Sequence, residues 1–267
     1  MPRLARSIGV FDSGFGGLTV LKALLDVIPK ADYLYFGDTA RLPYGSKSAE
    51  TVTKYAVEAA RFLEKAGAGI LVIACNTATA LALDEIRDAL KVPVIGVIAP
   101  GAERAASISN ARKAVVIATE ATIGSHAYQR ALESHGIKAK EKACPLLVPL
   151  VEEGWVEHPV TEQVARIYLQ EAFSGFESAD VLLLGCTHYP LLKPLLARVA
   201  PRNVVIVDSA ESTARVVAQQ MGSMVQGPER PARLQFFATD SAGKFKQLGA
   251  RFLGREIAEV KHVDLRE

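Results

Sequence analysis

Short apolar runs rich in Val, Ile, Leu and Phe recur along the chain at residues 7–11, 32–36, 70–74, 92–97, 114–118, 181–184, 204–207 and 234–238. Several are apolar throughout, with no polar alternation, which is the pattern of strands covered on both faces. The segments between them carry apolar residues at helical spacing. The alternation of strand and helix predicts an α/β fold with mostly parallel sheets wrapped by helices. The clearest helix starts after Ser48, a favoured N-cap residue, with Glu50 and Thr51 in its first turn. It continues through Tyr55, Ala59, Phe62 and Leu63 and stops at Gly67.

Small polar residues sit at the carboxyl ends of these runs: Asp12 and Ser13, Asp38 and Thr39, Cys75 to Thr77, Thr119, Cys186 to His188, Asp208 and Ser209, Thr239 and Asp240. Ligands of open α/β sheets bind outside the carboxyl ends of the strands, so these residues mark a candidate site, although each taken singly is also an ordinary helix cap. Two of the ends resemble each other. An apolar strand and one small residue lead into Cys75-Asn76-Thr77, and again, 111 residues later, into Cys186-Thr187-His188. The repetition predicts two similar α/β lobes, each presenting one thiol to a shared cleft. The expected lobes are residues 1–97 with 210–267, and residues 98–209.

Composition narrows the partners. A chain of 267 residues, 49% hydrophobic and 22% charged, has enough apolar surface for a sizeable core. Its net charge of +2 comes from basic residues scattered along the sequence, so no nucleic-acid surface is expected and a small-molecule ligand is. No run approaches the roughly 20 apolar residues of a membrane helix, and no secretory leader is read at the amino terminus. Three cysteines, an odd number, point to reduced thiols in a cytosolic protein. Cys144, next to Pro145 in an apolar run, reads as a core residue. With no Cys-x-x-Cys pair and only Cys186 and His188 close together, no metal centre is expected.

The two remaining thiols carry the candidate chemistry. A cysteine at a helix N-terminus feels the positive end of the macrodipole, which predicts an accessible thiolate. One thiol on each side of a cleft supplies the base that removes a proton from one face of a carbon and the acid that returns one to the other face. Helix starts after Cys75 and Cys186 would offer backbone donors to a carboxylate. The turn Asp12-Ser-Gly-Phe-Gly-Gly17 fits neither the dinucleotide fingerprint nor the Walker loop, and its glycines are expected to bring backbone N–H groups to a carboxylate. The run Arg41-Leu-Pro-Tyr-Gly45 suits a mobile lid. A thiol hydrolase using Cys186 and His188 leaves Cys75 unexplained; a two-lobed binding protein without catalysis needs only the polar strand ends.

Four segments, Phe11-Asp-Ser-Gly-Phe-Gly-Gly-Leu-Thr19, Tyr35-Phe-Gly-Asp-Thr-Ala-Arg-Leu-Pro-Tyr-Gly45, Ala74-Cys-Asn-Thr-Ala78 and Leu184-Gly-Cys-Thr-His-Tyr-Pro190, resemble the signatures of the bacterial glutamate racemases. The resemblance extends to residues 96–101, 119–128, 145–154 and 207–209. It implies an interlobe active site, no cofactor and no metal, and interconversion of L- and D-glutamate for peptidoglycan in a bacterial cytoplasm by a homodimer. By position, Cys75 would take the α-proton of D-glutamate and Cys186 that of L-glutamate, with Asp12 assisting the first thiol and His188 the second. Asp12, Ser13, Pro43, Tyr44, Gly45, Asn76, Thr77, Thr119, Thr122, Thr187 and His188 would bind the substrate. An aspartate racemase or another racemase of the same superfamily is the alternative that the resemblance leaves.

Overall fold

A computed structural model describes residues 7–222 and 232–265. Four strands open the chain, β1 (Ser7–Asp12), β2 (Asp32–Gly37), β3 (Ala68–Ile73) and β4 (Val94–Gly96), and four more follow, β5 (Lys113–Ala118), β6 (Lys138–Ala143), β7 (Val181–Gly185) and β8 (Val205–Asp208). The chain then returns to the first sheet with β9 (Leu234–Ala238) and β10 (Lys261–His262). The first sheet has the order β10-β9-β2-β1-β3-β4, the second β6-β5-β7-β8, and every pairing is parallel.

The order β2-β1-β3-β4 is repeated as β6-β5-β7-β8, so β3 and β7 are equivalent strands and the two cysteines follow them at equivalent places. Both lie at the point where the strand order reverses, where crossovers diverge to opposite faces and leave a crevice.

The inner strands form because they are apolar on both faces: β1 is buried from Ile8 onward and β7 along its whole length. The predicted helix is Ala49–Lys65, with the Ser48 hydroxyl accepting from Thr51 N at 3.3 Å and Gly67 beyond its end at φ +101°. Two strands were not expected. β6 has the sequence Lys-Ala-Lys-Glu-Lys-Ala, with no apolar face, and it is an edge strand whose charges discourage pairing with another chain. β10 is two residues long. The helix Ser209–Met221, capped by Asp208, follows β8 and packs on the helix Leu18–Val27 of the first lobe, joining the two units. Among the described residues no helix is long and apolar enough to cross a membrane.

Candidate active site

Cys75 is itself the N-cap of the helix Asn76–Ala89, its Sγ accepting from Ala78 N at 3.4 Å and lying 3.6 Å from the Ser13 hydroxyl. The expected macrodipole is therefore present, but it does not set the protonation of the thiol. Burial and the nearby Asp12 carboxylate push Cys75 up to about 12, against the lowering from Ala78 N–H and Ser13. Cys75 is therefore held as a thiol at neutral pH, because desolvating a compact anion costs more than one helix end returns.

Cys186 has different surroundings. The expected helix start is here a single 3-10 turn, Tyr189–Leu192, leading into the helix Lys193–Val199. A charged side chain stands where a helix end was expected: His188 Nδ1 is 4.0 Å from Cys186 Sγ, and its Nε2 lies 3.1 Å from Glu152 Oε1. Burial disfavours the imidazolium, yet Cys186 and Glu152 outweigh it and lift His188 to about 10. Burial likewise works against the Glu152 carboxylate, but its hydrogen bond and charge interaction with His188 win and hold it below its usual range. The Phe252 ring meets the imidazole edge to face at 5.1 Å. Glu152, at the end of the helix Leu147–Glu152, was not named as a site residue. The signal that could have found it is the family-like stretch 145–154.

Both thiols open on one cavity of about 160 Å³ between the lobes. That is below the roughly 300 Å³ at which pockets for drug-sized ligands begin, and it suits a small metabolite. Ser13, Pro43, Tyr44, Gly45, Asn76 and Thr77 reach its wall from the first lobe; Thr119, Thr187 and His188 reach it from the second, as does the unexpected Glu152. Asp12 and Thr122 do not. Asp12 is buried behind the wall, its Oδ2 accepting from Gly14 N at 2.9 Å and its Oδ1 without a hydrogen-bond partner among the described residues; burial raises its carboxyl, and His188 and backbone N–H groups offset part of that. Thr122 closes a ring of hydroxyls with Thr77 and Thr119, at 2.9 to 3.1 Å, that ties the lobes together behind the cavity.

The glycine turn works differently from expectation. Gly14 N–H is spent on Asp12, and Gly16 is small because the lobes touch there: a Cβ on it would fall 2.2 Å from Thr187 Oγ1 and 2.6 Å from His188 Nδ1. Thr19 Oγ1 also bonds Thr187 O across the same seam at 3.1 Å. Nor is the segment after Asp38 a free lid. The Tyr44 hydroxyl donates to Asp38 Oδ2 at 2.6 Å, Thr239 donates to Asp38 Oδ1 at 2.9 Å, and the Tyr44 ring packs beside Phe11 in the first-lobe core. The third thiol, Cys144, is fully buried, and burial pushes it up to about 12. Among the described residues no three His, Cys, Asp or Glu side chains are grouped to hold a metal.

Residues 16–217 match the family described as Asp/Glu/Hydantoin racemase. A glutamate racemase of Koribacter versatilis is 56% identical, covering 99% of both chains. Among solved structures, the glutamate racemase of Francisella tularensis in complex with D-glutamate superposes with a TM-score of 0.91 at 36% identity, over 98% of both chains. That of Thermus thermophilus in complex with β-chloro-D-alanine superposes with a TM-score of 0.88 at 44% identity, also over 98% of both.

Proposed function

The chain belongs to the Asp/Glu/hydantoin racemase family, and from that premise we propose that it interconverts L- and D-glutamate without a cofactor, supplying D-glutamate for peptidoglycan. The observation that carries the mechanism is the meeting of two equivalent strand ends, each bearing a cysteine, on opposite sides of one small cavity. In the L-to-D direction the Cys186 sulfur takes the α-proton, leaving a carbanion conjugated with the substrate carboxylate. The Cys75 thiol then delivers its proton to the opposite face. The sulfurs have exchanged protonation states, and solvent restores them between turnovers. The reverse direction uses the same steps with the roles exchanged.

The supporting groups divide by lobe. His188, kept charged by Glu152, faces the Cys186 sulfur and balances negative charge there. Asp12 acts from behind the wall through its charge, drawing the substrate ammonium, whose positive charge opposes the effect of Asp12 on Cys75. Donors near the cavity, the Asn76 amide foremost, are placed to hold a carboxylate. The lobe boundaries at 97/98 and 209/210 belong to the same reading, since all strands of the second sheet fall between them. So does a bacterial cytoplasmic setting.

Incubating the protein with L-glutamate in heavy water, with no added cofactor, is expected to abolish the circular dichroism signal and to place deuterium at Cα by proton NMR. No change with glutamate but decay with aspartate would move the assignment to the other amino acid of the family. A homodimer is also part of the proposal, supported by the exposed apolar side chains Leu146, Trp155, Val160 and Ile167. Light scattering reads it, and a monomer with and without glutamate would remove it.

A further inference from the structure

Asn76 stands on the cavity wall with its hydrogen bonding half complete. Its Oδ1 accepts from the Tyr128 hydroxyl at 2.6 Å, while its Nδ2 is buried without a partner among the described residues. A side-chain amide has one accepting and one donating end, and its orientation is decided by its partners. A phenol that donates to one end commits the other end to be a donor.

Tyr128 comes from the helix Ala127–Ser134 of the second lobe and is wholly buried. Its ring lies against two glycines: a Cβ on Gly185 would stand 2.8 Å from its Cε2, and one on Gly101 3.6 Å from its Cε1. Gly185 immediately precedes Cys186, and Asn76 immediately follows Cys75. One rigid ring therefore touches both thiol-bearing strand ends.

We infer that Tyr128 is a positioning residue for substrate binding, which fixes the Asn76 amide from across the lobe boundary so that its NH₂ group faces the cavity as a donor to a substrate carboxylate. This rests on the reading of the cavity as a glutamate site. The reverse orientation would turn a carbonyl oxygen toward an anion. A carboxylate next to the reacting carbon gains charge as the conjugated carbanion forms, so the contact holds the bound substrate, strengthens in the transition state, and its loss is read in kcat/KM.

Tyr128→Phe keeps the ring and removes the hydroxyl. It is expected to lower kcat/KM for both enantiomers about tenfold, the loss of one well-aligned bond to a charged group, and to weaken binding of D-glutamate. In an Asn76→Ala background the same substitution is expected to add nothing, because the residue acts through Asn76. Asn76→Asp, which can still accept from the phenol but offers no donor, is expected to weaken binding at least as much as Asn76→Ala. Where turnover is too slow to follow, calorimetric affinity for D-glutamate gives the same comparison, and a thermal melt confirms the fold. An unchanged kcat/KM in Tyr128→Phe, penalties that multiply in the double variant, or full affinity in Asn76→Asp each overturns the inference. A wild-type protein inert toward glutamate overturns the parent reading, and this one with it, before any substitution is made.

Discussion

Cys75→Ala is expected to slow racemisation in both directions by about 10³- to 10⁴-fold, with any surviving exchange of the α-proton with solvent confined to L-glutamate. The magnitude follows from removing the sole proton carrier on one face of the substrate, an effect at the upper end of general acid and base catalysis. The direction follows from what remains: Cys186 can still take a proton from the L-enantiomer and return one to the same face, which exchanges hydrogen without inverting the centre. Cys186→Ala gives the mirror result, with residual exchange on D-glutamate only. Circular dichroism reads inversion and proton NMR in heavy water reads exchange, so the two are separable in one sample. Cys75→Ala also removes the sulfur that caps Asn76–Ala89, at a cost of about 1 kcal/mol in stability, which a thermal melt distinguishes from unfolding. Inversion at wild-type rate in either variant would refute the two-thiol mechanism.

Glu152→Gln is expected to lower kcat/KM about tenfold near pH 8 and to move the alkaline fall in activity to lower pH, since the carboxylate that keeps His188 charged is gone. His188→Asn, which removes the charge beside Cys186 outright, is expected to cost about 10²-fold. The enantiomers have equal free energy in water. The decrease in kcat/KM must therefore be equal in the two directions at every pH, and any asymmetry between D and L can appear only in kcat and KM taken separately. Stability follows the same pair. His188 is raised from 6.5 to about 10, so its contribution is full below pH 6.5 and is lost as pH rises through about 10. Glu152 is lowered from 4.5, so its share is present above pH 4.5 and is lost as pH falls through its folded value. A melting temperature that Glu152→Gln depresses at pH 6 but leaves unchanged near pH 10 is the expected signature; equal depression at both would place the loss in packing and not in charge.

What could be read from the chain alone was whatever depends on residues adjacent in sequence. The inner strands β1, β3, β5 and β7 are apolar on both faces, and that is visible as an uninterrupted run. The residues that follow a strand are carried to its end wherever the sheet goes, which is why Cys75, Asn76, Thr77, Cys186, Thr187 and His188 were identified and do share one cavity. The edge strand β6 was invisible because it has no face to bury. Glu152 was not named because its partner His188 is 36 residues away on another element. Tertiary structure alone decided that the Tyr44 hydroxyl is spent on Asp38, that Gly16 marks a seam between lobes, and that Asp12 stands behind the wall. It also reversed the protonation expected of Cys75: a helix dipole is a local property that sequence position reveals, whereas desolvation depends on what the rest of the fold places around the sulfur.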